Sequence, residues 1–232
     1  MRNYIFPPVI FPLFIVLVLL PIFLILFVFT TSTVFQLVFG IDREESLLLF
    51  LLIVVGSVVN IPIYEKEGKS YDEVYSIFGL IYRVKRCKKI VVAINLGGCV
   101  FPLILAFKAF FEVIKYFDGL SLFLAFLFAI MVSYLFAKPI RGVGIVMPMI
   151  VPPIVAVFSS LVAILLSSAD LLLLPKLAFS IGVISTIFGA DILHLKDMEK
   201  IGEGVISIGG AGTFDGIFLT GIFAVLFSLF LI

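Results

Sequence analysis

The sequence predicts an all-α protein, a polytopic bundle of about seven transmembrane helices. Of its 232 residues, 63% are hydrophobic and only 13% are charged, whereas a soluble domain carries about 25% charged residues. The mean hydropathy is +1.34. The apolar runs are roughly twenty residues long and do not alternate, which indicates membrane helices and excludes a membrane β-barrel.

Seven apolar segments make up the predicted bundle, which we expect to be a single transmembrane domain over residues 1–232. Each is long enough to cross the hydrocarbon core at about 1.5 Å per residue. Glycines crowd the start of the last helix, which leaves open a re-entrant segment at residues 206–212. The predicted helices cover residues 6–30, 46–63, 90–113, 119–138, 144–166, 174–195 and 205–232.

Basic residues near the helix ends predict a multi-pass protein of the cell membrane, with its N-terminus inside and its C-terminus outside. In this orientation twelve of the sixteen Lys and Arg residues are cytoplasmic. The one sizeable loop, residues 64–89, opens acidic and closes basic, so we expect it to be cytoplasmic and to contact anionic lipid head groups. Its middle, residues 74–82, fits either a short hairpin about Gly79 or an interfacial helix.

Composition also bounds the partners. The lipid bilayer is the expected partner, and the net charge of +1 argues against nucleic acid. The sequence does not indicate a protein partner. A single histidine, His194, does not make a metal site, and we expect neither a metal nor a cofactor. His194 fits an interfacial or packing position better than a proton relay.

Three polar side chains are predicted to lie at one depth in the membrane. Asn60, Asn95 and Asp191 are five or six residues from the charged ends of their helices, which places each roughly 7–9 Å below the cytoplasmic surface. Three helices would therefore bring polar groups to one level. Arg141 enters the fifth helix from the same side and is a further candidate.

A second carboxylate, Asp215, follows a glycine-rich run. If regular helix begins near Thr213, Asp215 starts the last helix close to the level of Asp191. Carboxylates in hydrocarbon are rare and usually face a cavity or a partner, so Asp215 and Asp191 are the candidate catalytic or ion-coupling residues. Site-lining residues are expected to be Asn60, Asn95, Gly209, Gly210, Gly212 and Thr213, since glycines let backbone N–H groups approach a ligand.

Five stretches give the chain a family resemblance. They are GSVVNIPIY (56–64), NLGGCVFPL (95–103), AKPIRGVGIVMPMIVPPIVA (137–156), FGADILHL (188–195) and SIGGAGTFDGIFLTGI (207–222). With them the chain resembles a family of uncharacterised prokaryotic integral-membrane proteins. The resemblance implies a family identity and no mechanism.

A looser similarity concerns chemistry. Intramembrane aspartyl proteases are similar in carrying one aspartate on each of two consecutive helices, the second after a glycine-rich turn. That similarity implies an Asp191/Asp215 dyad, in which two close carboxylates share a proton and activate water. The chain departs from the pattern, because Gly-Ala-Gly-Thr-Phe-Asp replaces Gly-x-Gly-Asp, no Tyr precedes Asp191, and no later helix carries Pro-Ala-Leu.

Three functions are therefore open. The first is a small-solute or ion-coupled transporter that uses a polar site in the cytoplasmic third of the membrane. The second is an intramembrane aspartyl hydrolase, and the third is a structural or accessory subunit in which asparagines and glycines serve only helix packing. Helix-breaking residues spread over several helices favour the transporter, although the sequence shows no internal repeat.

Overall fold

In the computed structural model the described residues are 10–77, 80–140, 143–197, 204–210 and 216–232. They contain seven α-helices and five β-strands, so the predicted all-α helical bundle is confirmed, with strands added to it. The chain divides into two compact units, Met1–Phe50 and Leu51–Ile232.

The first unit holds α1 (Ile10–Phe39) and the beginning of α2 (Arg43–Gly56). Nearly all large apolar side chains in the first half of the described part of α1 are exposed, as expected of a helix whose surroundings are lipid. Towards its end α1 packs against α2. Ser32 and Ser46 join the two helices through a buried hydroxyl–hydroxyl hydrogen bond of 2.5 Å.

The second unit is built around five helices. Its central helix is α6, which is buried along its whole length and packs against the other four. Small residues let the helices approach closely; a Cβ on Gly182, for example, would lie 3.2 Å from Thr220 Cγ2 and 3.3 Å from Ala156 Cβ. The five helices are α3 (Phe101–Val113), α4 (Gly119–Phe136), α5 (Val151–Ser167), α6 (Leu174–Thr186) and α7 (Gly216–Ser228).

The helices have the dimensions of a multi-pass membrane protein. Among the described residues, four helical segments are long and apolar enough to cross a bilayer. They are Phe14–Phe39, Leu96–Tyr116, Gly119–Phe136 and Leu171–Asp197. Two shorter apolar helices, α5 and α7, complete the set.

Two small sheets lie at one end of the helices of the second unit. β1 (Asn60–Ile77) and β2 (Leu80–Asn95) form an antiparallel hairpin, and β2 also pairs in parallel with β5 (Gly204–Ile208). A second hairpin joins β3 (Lys138–Ile140) to β4 (Gly144–Val146). Ile145 of β4 packs against Ile90 and Ile206, so the small hairpin rests against the larger sheet.

The strands shorten four of the predicted helices. Parts of the segments 46–63, 90–113, 144–166 and 205–232 are extended rather than helical. Runs such as Ile90–Ile94 are apolar and rich in β-branched residues, which favour strands when a neighbouring strand supplies hydrogen bonds. β5 supplies them here.

The loop at 64–89 takes the hairpin alternative. Pairing continues from Asn60↔Asn95 to Ile77↔Leu80, and the turn residues Phe78 and Gly79 lie outside the described residues. In the glycine-rich segment, residues 206–208 belong to β5 and Gly209 turns the chain. The described part of 206–212 is therefore not helical.

Candidate functional site

Two π-helical turns face the end of β5. One, Leu96–Val100, leads into α3, and the other, Ile187–Asp191, follows α6. Such turns form well under 1% of residues and often mark functional sites. The first begins, and the second lies within, a helical segment long enough to cross the membrane, so regular α-helical geometry is lost at both points.

Gly209 brings β5 against the first π-helical turn. Its φ is +71°, a conformation that side chains disfavour. A Cβ here would lie 2.6 Å from both Cys99 N and Gly98 C. Only glycine fits this close backbone approach, which explains why one of the glycines selected from the sequence, Gly209, is required here.

Asn95 anchors the first π-helical turn. Its buried side chain accepts a hydrogen bond from Gly98 N at 2.7 Å through Oδ1. Through Nδ2 it donates to Ser57 O at 2.7 Å and to Asn60 Oδ1 at 3.0 Å. Both ends of the amide are engaged, so this side chain holds the end of α2, the start of β1 and the start of the π-helical turn together.

Asn60 connects this anchor to β5. Its Oδ1 accepts from Asn95 Nδ2 and also from Ser207 Oγ, the latter at 2.5 Å. The backbone adds a further link, since Leu96 N donates to Val59 O at 3.0 Å. The base of the long β1–β2 hairpin and the strand β5 therefore share one hydrogen-bond network.

Asp191 ends the second π-helical turn and reaches the same strand. Its carboxylate is half-buried, and Oδ2 accepts from Gly209 N at 3.3 Å. It faces a cavity of about 120 Å³ whose walls are more polar than apolar. The cavity is lined by residues 143–145, Asp191, Leu195 and residues 205–210.

The segment after Asp191 is held against α4. His194 is buried, donates from Nδ1 to Gly189 O at 3.2 Å and lies 4.6 Å from the Tyr134 ring. Lys196 Nζ donates to Tyr134 Oη at 2.9 Å. A Cβ on Gly189 would lie 2.5 Å from Ile130 O, so the second π-helical turn also depends on a glycine at a helix contact.

Residues 54–227, three quarters of the chain, match the model of a family described as Protein of unknown function (DUF1614). The chain belongs to this family. No curated protein and no solved structure matches it. Both π-helical turns, the cavity and the Asn95 network lie inside the DUF1614 region, so the family match covers every described site residue. An uncharacterised family was the expectation from the sequence, and the match confirms it.

Within the DUF1614 region, the structure brings together five of the residues that the sequence selects. Asn60, Asn95, Asp191, Gly209 and Gly210 are linked by hydrogen bonds or share the cavity. The remaining candidates, Asp215, Gly212, Thr213 and Arg141, lie outside the described residues. The separation of the Asp191 and Asp215 carboxylates is therefore not described.

Sequence reasoning missed three contributors. Ser207 is the one polar residue in the apolar run Val-Ile-Ser-Ile, and this interruption of the run could have identified it from the sequence. Ser57 acts through its backbone carbonyl and Gly98 through its backbone N–H, which no sequence pattern reveals. Among the residues that the structure describes, no cluster of three or more metal-ligating side chains is present.

Proposed function

We propose that this DUF1614 protein is an ion-coupled membrane transporter of a small solute, with Asp191 as the group that binds the coupling cation or proton. One observation carries the proposal. A carboxylate ends a break in a membrane-length helix and faces a small polar cavity. Intramembrane carboxylates and discontinuous helices of this kind mark substrate and ion sites in transporters.

The cavity walls suit a small cation or a proton donor. One wall of the cavity is formed by β5 and its turn, whose residues are apolar residues, glycines and Ser207. The polarity of this wall therefore comes largely from the backbone. Carboxylate and backbone carbonyl oxygens are the ligands that hard cations prefer. In the membrane this backbone is tolerated because it lines a cavity rather than contacting lipid.

The hydrogen-bond network supports the site from behind. Asn95 and Asn60 fix Ser207, and Gly209 N fixes one carboxylate oxygen of Asp191. A wall held by several hydrogen bonds pays less ordering entropy when a ligand binds. A Cβ on Gly209 would clash with the first π-helical turn and one on Gly210 with Ser207, so glycines at both positions allow this close packing.

The test uses the full-length protein in sealed liposomes that contain a dye selective for protons, sodium or potassium. Sodium, potassium and proton gradients are imposed separately, and the flux of each ion is recorded. Asp191→Asn keeps the side-chain shape and removes the charge, so we expect it to reduce the flux at least about tenfold. The matched control is Asp118→Asn. Asp118 is the N-cap of α4, at the end of that helix far from the cavity, and Asn replaces Asp well as a helix cap.

Equal flux in the wild type, in Asp191→Asn and in empty liposomes would reject the transporter. A fully active Asp191→Asn variant would reject the role of Asp191 and leave the transporter in place. Thermal unfolding of both variants is recorded alongside, so that a loss of folding is separated from a loss of function.

A second candidate is the intramembrane aspartyl hydrolase, which one observation favours. Among the described residues no strand pairs with the outer edge of β5, and this strand runs directly into Gly209, the hydrogen-bond partner of Asp191. An extended peptide that added to this edge would pass the carboxylate. Incubation of the liposomes with apolar peptides, followed by mass spectrometry, separates the two: Asp191-dependent cleavage without flux supports the hydrolase.

A further inference from the structure

A second concave surface, which shares no lining residue with the Asp191 cavity, lies between the end of α4 and the β3–β4 hairpin. Its volume is about 580 Å³ and its walls are mostly apolar. Leu135 and Phe136 form one side, Ile140 and Val146 form the other, and Lys138 supplies the charged group. We call this surface the Lys138 groove.

The groove lies at the end of a helix that is long and apolar enough to cross a membrane. α4 is an apolar helix of 18 residues that ends at Phe136, and Lys138 follows two residues later with an exposed side chain. Lysines just beyond a membrane helix extend their charged ends to the lipid head groups while their methylene chains cover apolar surface. Leu135, Phe136 and Ile140 are all large, apolar and exposed, which suits contact with acyl chains.

No side chain in the part of the chain that the structure describes balances the charge of the groove. The sequence from residue 137 to residue 169 contains Lys138 and Arg141 and no Asp or Glu. Among the described residues, no side chain forms an ion pair with Lys138. A positive charge at the end of an apolar groove complements one class of ligand, which combines an acyl chain with a negatively charged head group.

We propose that the Lys138 groove binds an anionic phospholipid, with its phosphate at Lys138 Nζ and an acyl chain along Leu135, Phe136, Ile140 and Val146. This site is separate from the Asp191 cavity and does not depend on the transport proposal. It is also separate from the β1–β2 hairpin, where the basic residues of the largest loop are concentrated.

The test is a lipid-binding measurement on the intact chain. The protein is purified in neutral detergent, stripped of lipid, and titrated with phosphatidylglycerol or phosphatidylcholine, and bound lipids are counted by native mass spectrometry. We expect phosphatidylglycerol to bind preferentially, and Lys138→Ala to reduce that preference about fivefold, the effect of one lysine near a head group. Binding of phosphatidylcholine should not change.

Lys115→Ala is the matched control. Lys115 is also exposed and follows an apolar helix, α3, but it lies against the Tyr116 ring and lines no part of the groove. We expect it to keep the full preference for phosphatidylglycerol. A preference that survives Lys138→Ala, or that Lys115→Ala reduces equally, overturns the site.

A competition arm tests the acyl-chain part of the groove. Glycerol phosphate carries the anionic head group without a chain, so it should not displace phosphatidylglycerol at equal concentration. Displacement would show that the charge binds alone and would overturn the groove. Narrowing the groove with Val146→Phe should weaken phosphatidylglycerol binding while Lys138 stays in place, and unchanged binding in this variant would contradict the assignment of the chain to these walls.

Discussion

The two ends of the five-helix unit use polar side chains in different ways. At the short-loop end, where α3 connects to α4 and α5 to α6, Asp118 and Asp170 each cap the helix that follows. Asp118 accepts from Leu120 N at 3.0 Å and from Ser121 N at 3.2 Å, and Asp170 accepts from Leu172 N at 2.9 Å. These are ordinary N-caps, which satisfy the first N–H groups of a helix.

At the strand end, where the sheets and both π-helical turns lie, the same residue types join distant segments. Asn95 also caps a helical turn, yet its amide binds Ser57 O, 38 residues away. Ser207 binds Asn60 across 147 residues. The aspartates at the short-loop end therefore stabilise the helices that they cap, and Ser167 and Lys176 add contacts between neighbouring helices there. The polar side chains at the strand end instead join the base of the β1–β2 hairpin, the first π-helical turn and β5 in one hydrogen-bond network.

The largest difference between the ends should come from glycine. A Cβ on Gly97 would lie 2.0 Å from Ile53 O and 2.3 Å from Ser57 N. Both contacts are backbone atoms that no rotamer change can move. We expect Gly97→Ala to lower the free energy of unfolding by about 4 kcal/mol or more, measured by thermal or denaturant unfolding in detergent.

Gly119→Ala is the matched variant at the short-loop end. A Cβ there meets nothing within 4 Å, and alanine favours the first turn of α4. Its stability should stay within about 0.5 kcal/mol of the wild type. A Gly97→Ala protein as stable as Gly119→Ala would show that the two ends do not differ in packing.

The short-loop end is also the part that the sequence predicts best. The apolar segments 119–138 and 174–195 match α4 and the α6 region within a few residues, because a run of uniform apolar residues in a membrane has one stable backbone, the helix. The hairpin about Gly79 could also be expected, as one of two alternatives. Asn60 and Asn95 lie at the ends of β1 and β2 rather than within helices, so the helical residue count that predicted a shared level with Asp191 was wrong for these two residues.

The strand end shows what sequence periodicity cannot decide. Ile90–Ile94 reads equally well as the start of a membrane helix and as a buried strand, since a short apolar run has no distinguishing period. The choice depends on β5, which is more than a hundred residues away in the sequence. The two π-helical turns likewise occur where Gly97, Gly189 and Gly209 make close contacts, which only the folded structure reveals.

A smaller effect is expected from Asn95. Asn95→Ala removes the donor to Ser57 O and Asn60 Oδ1 and leaves Gly98 N without its acceptor. Leaving buried polar groups unsatisfied costs about 1–3 kcal/mol each. Because water has partial access to Asn60, the total loss in the free energy of unfolding should be about 3 kcal/mol. Denaturant titration in detergent measures it.

The comparison at the other end is Asp118→Ala. It removes a cap and should cost about 1 kcal/mol. Asn95→Asp adds a further distinction, because it keeps the acceptor for Gly98 N but places a buried carboxylate oxygen opposite two acceptors, Ser57 O and Asn60 Oδ1. It should therefore cost at least as much as Asn95→Ala. If Asp118→Ala proved as costly as Asn95→Ala, the strand-end network would be no more than a set of local caps.

A still smaller loss of stability than in Asn95→Ala should come from Ser207→Ala, and this variant distinguishes the two ends by ion flux. In Ser207→Ala, Asn60 Oδ1 keeps the bond from Asn95 Nδ2, so the loss should be about 1 kcal/mol. At the short-loop end, Ser167 accepts from Asp118 N at 3.1 Å and bonds Ser121 Oγ at 2.6 Å. Ser167→Ala should cost a similar amount.

The two serine variants should therefore match in unfolding and differ in ion flux. Ser207 lines the cavity that Asp191 faces, and Ser167 does not. Removing the Ser207 hydroxyl frees β5 from Asn60, so the cavity wall is no longer held in one position and the flux should fall several-fold, by about the factor that 1 kcal/mol gives. A flux that falls equally in Ser167→Ala would trace the loss to stability alone. An unchanged flux in Ser207→Ala would separate the hydrogen-bond network from the ion site and assign it to packing.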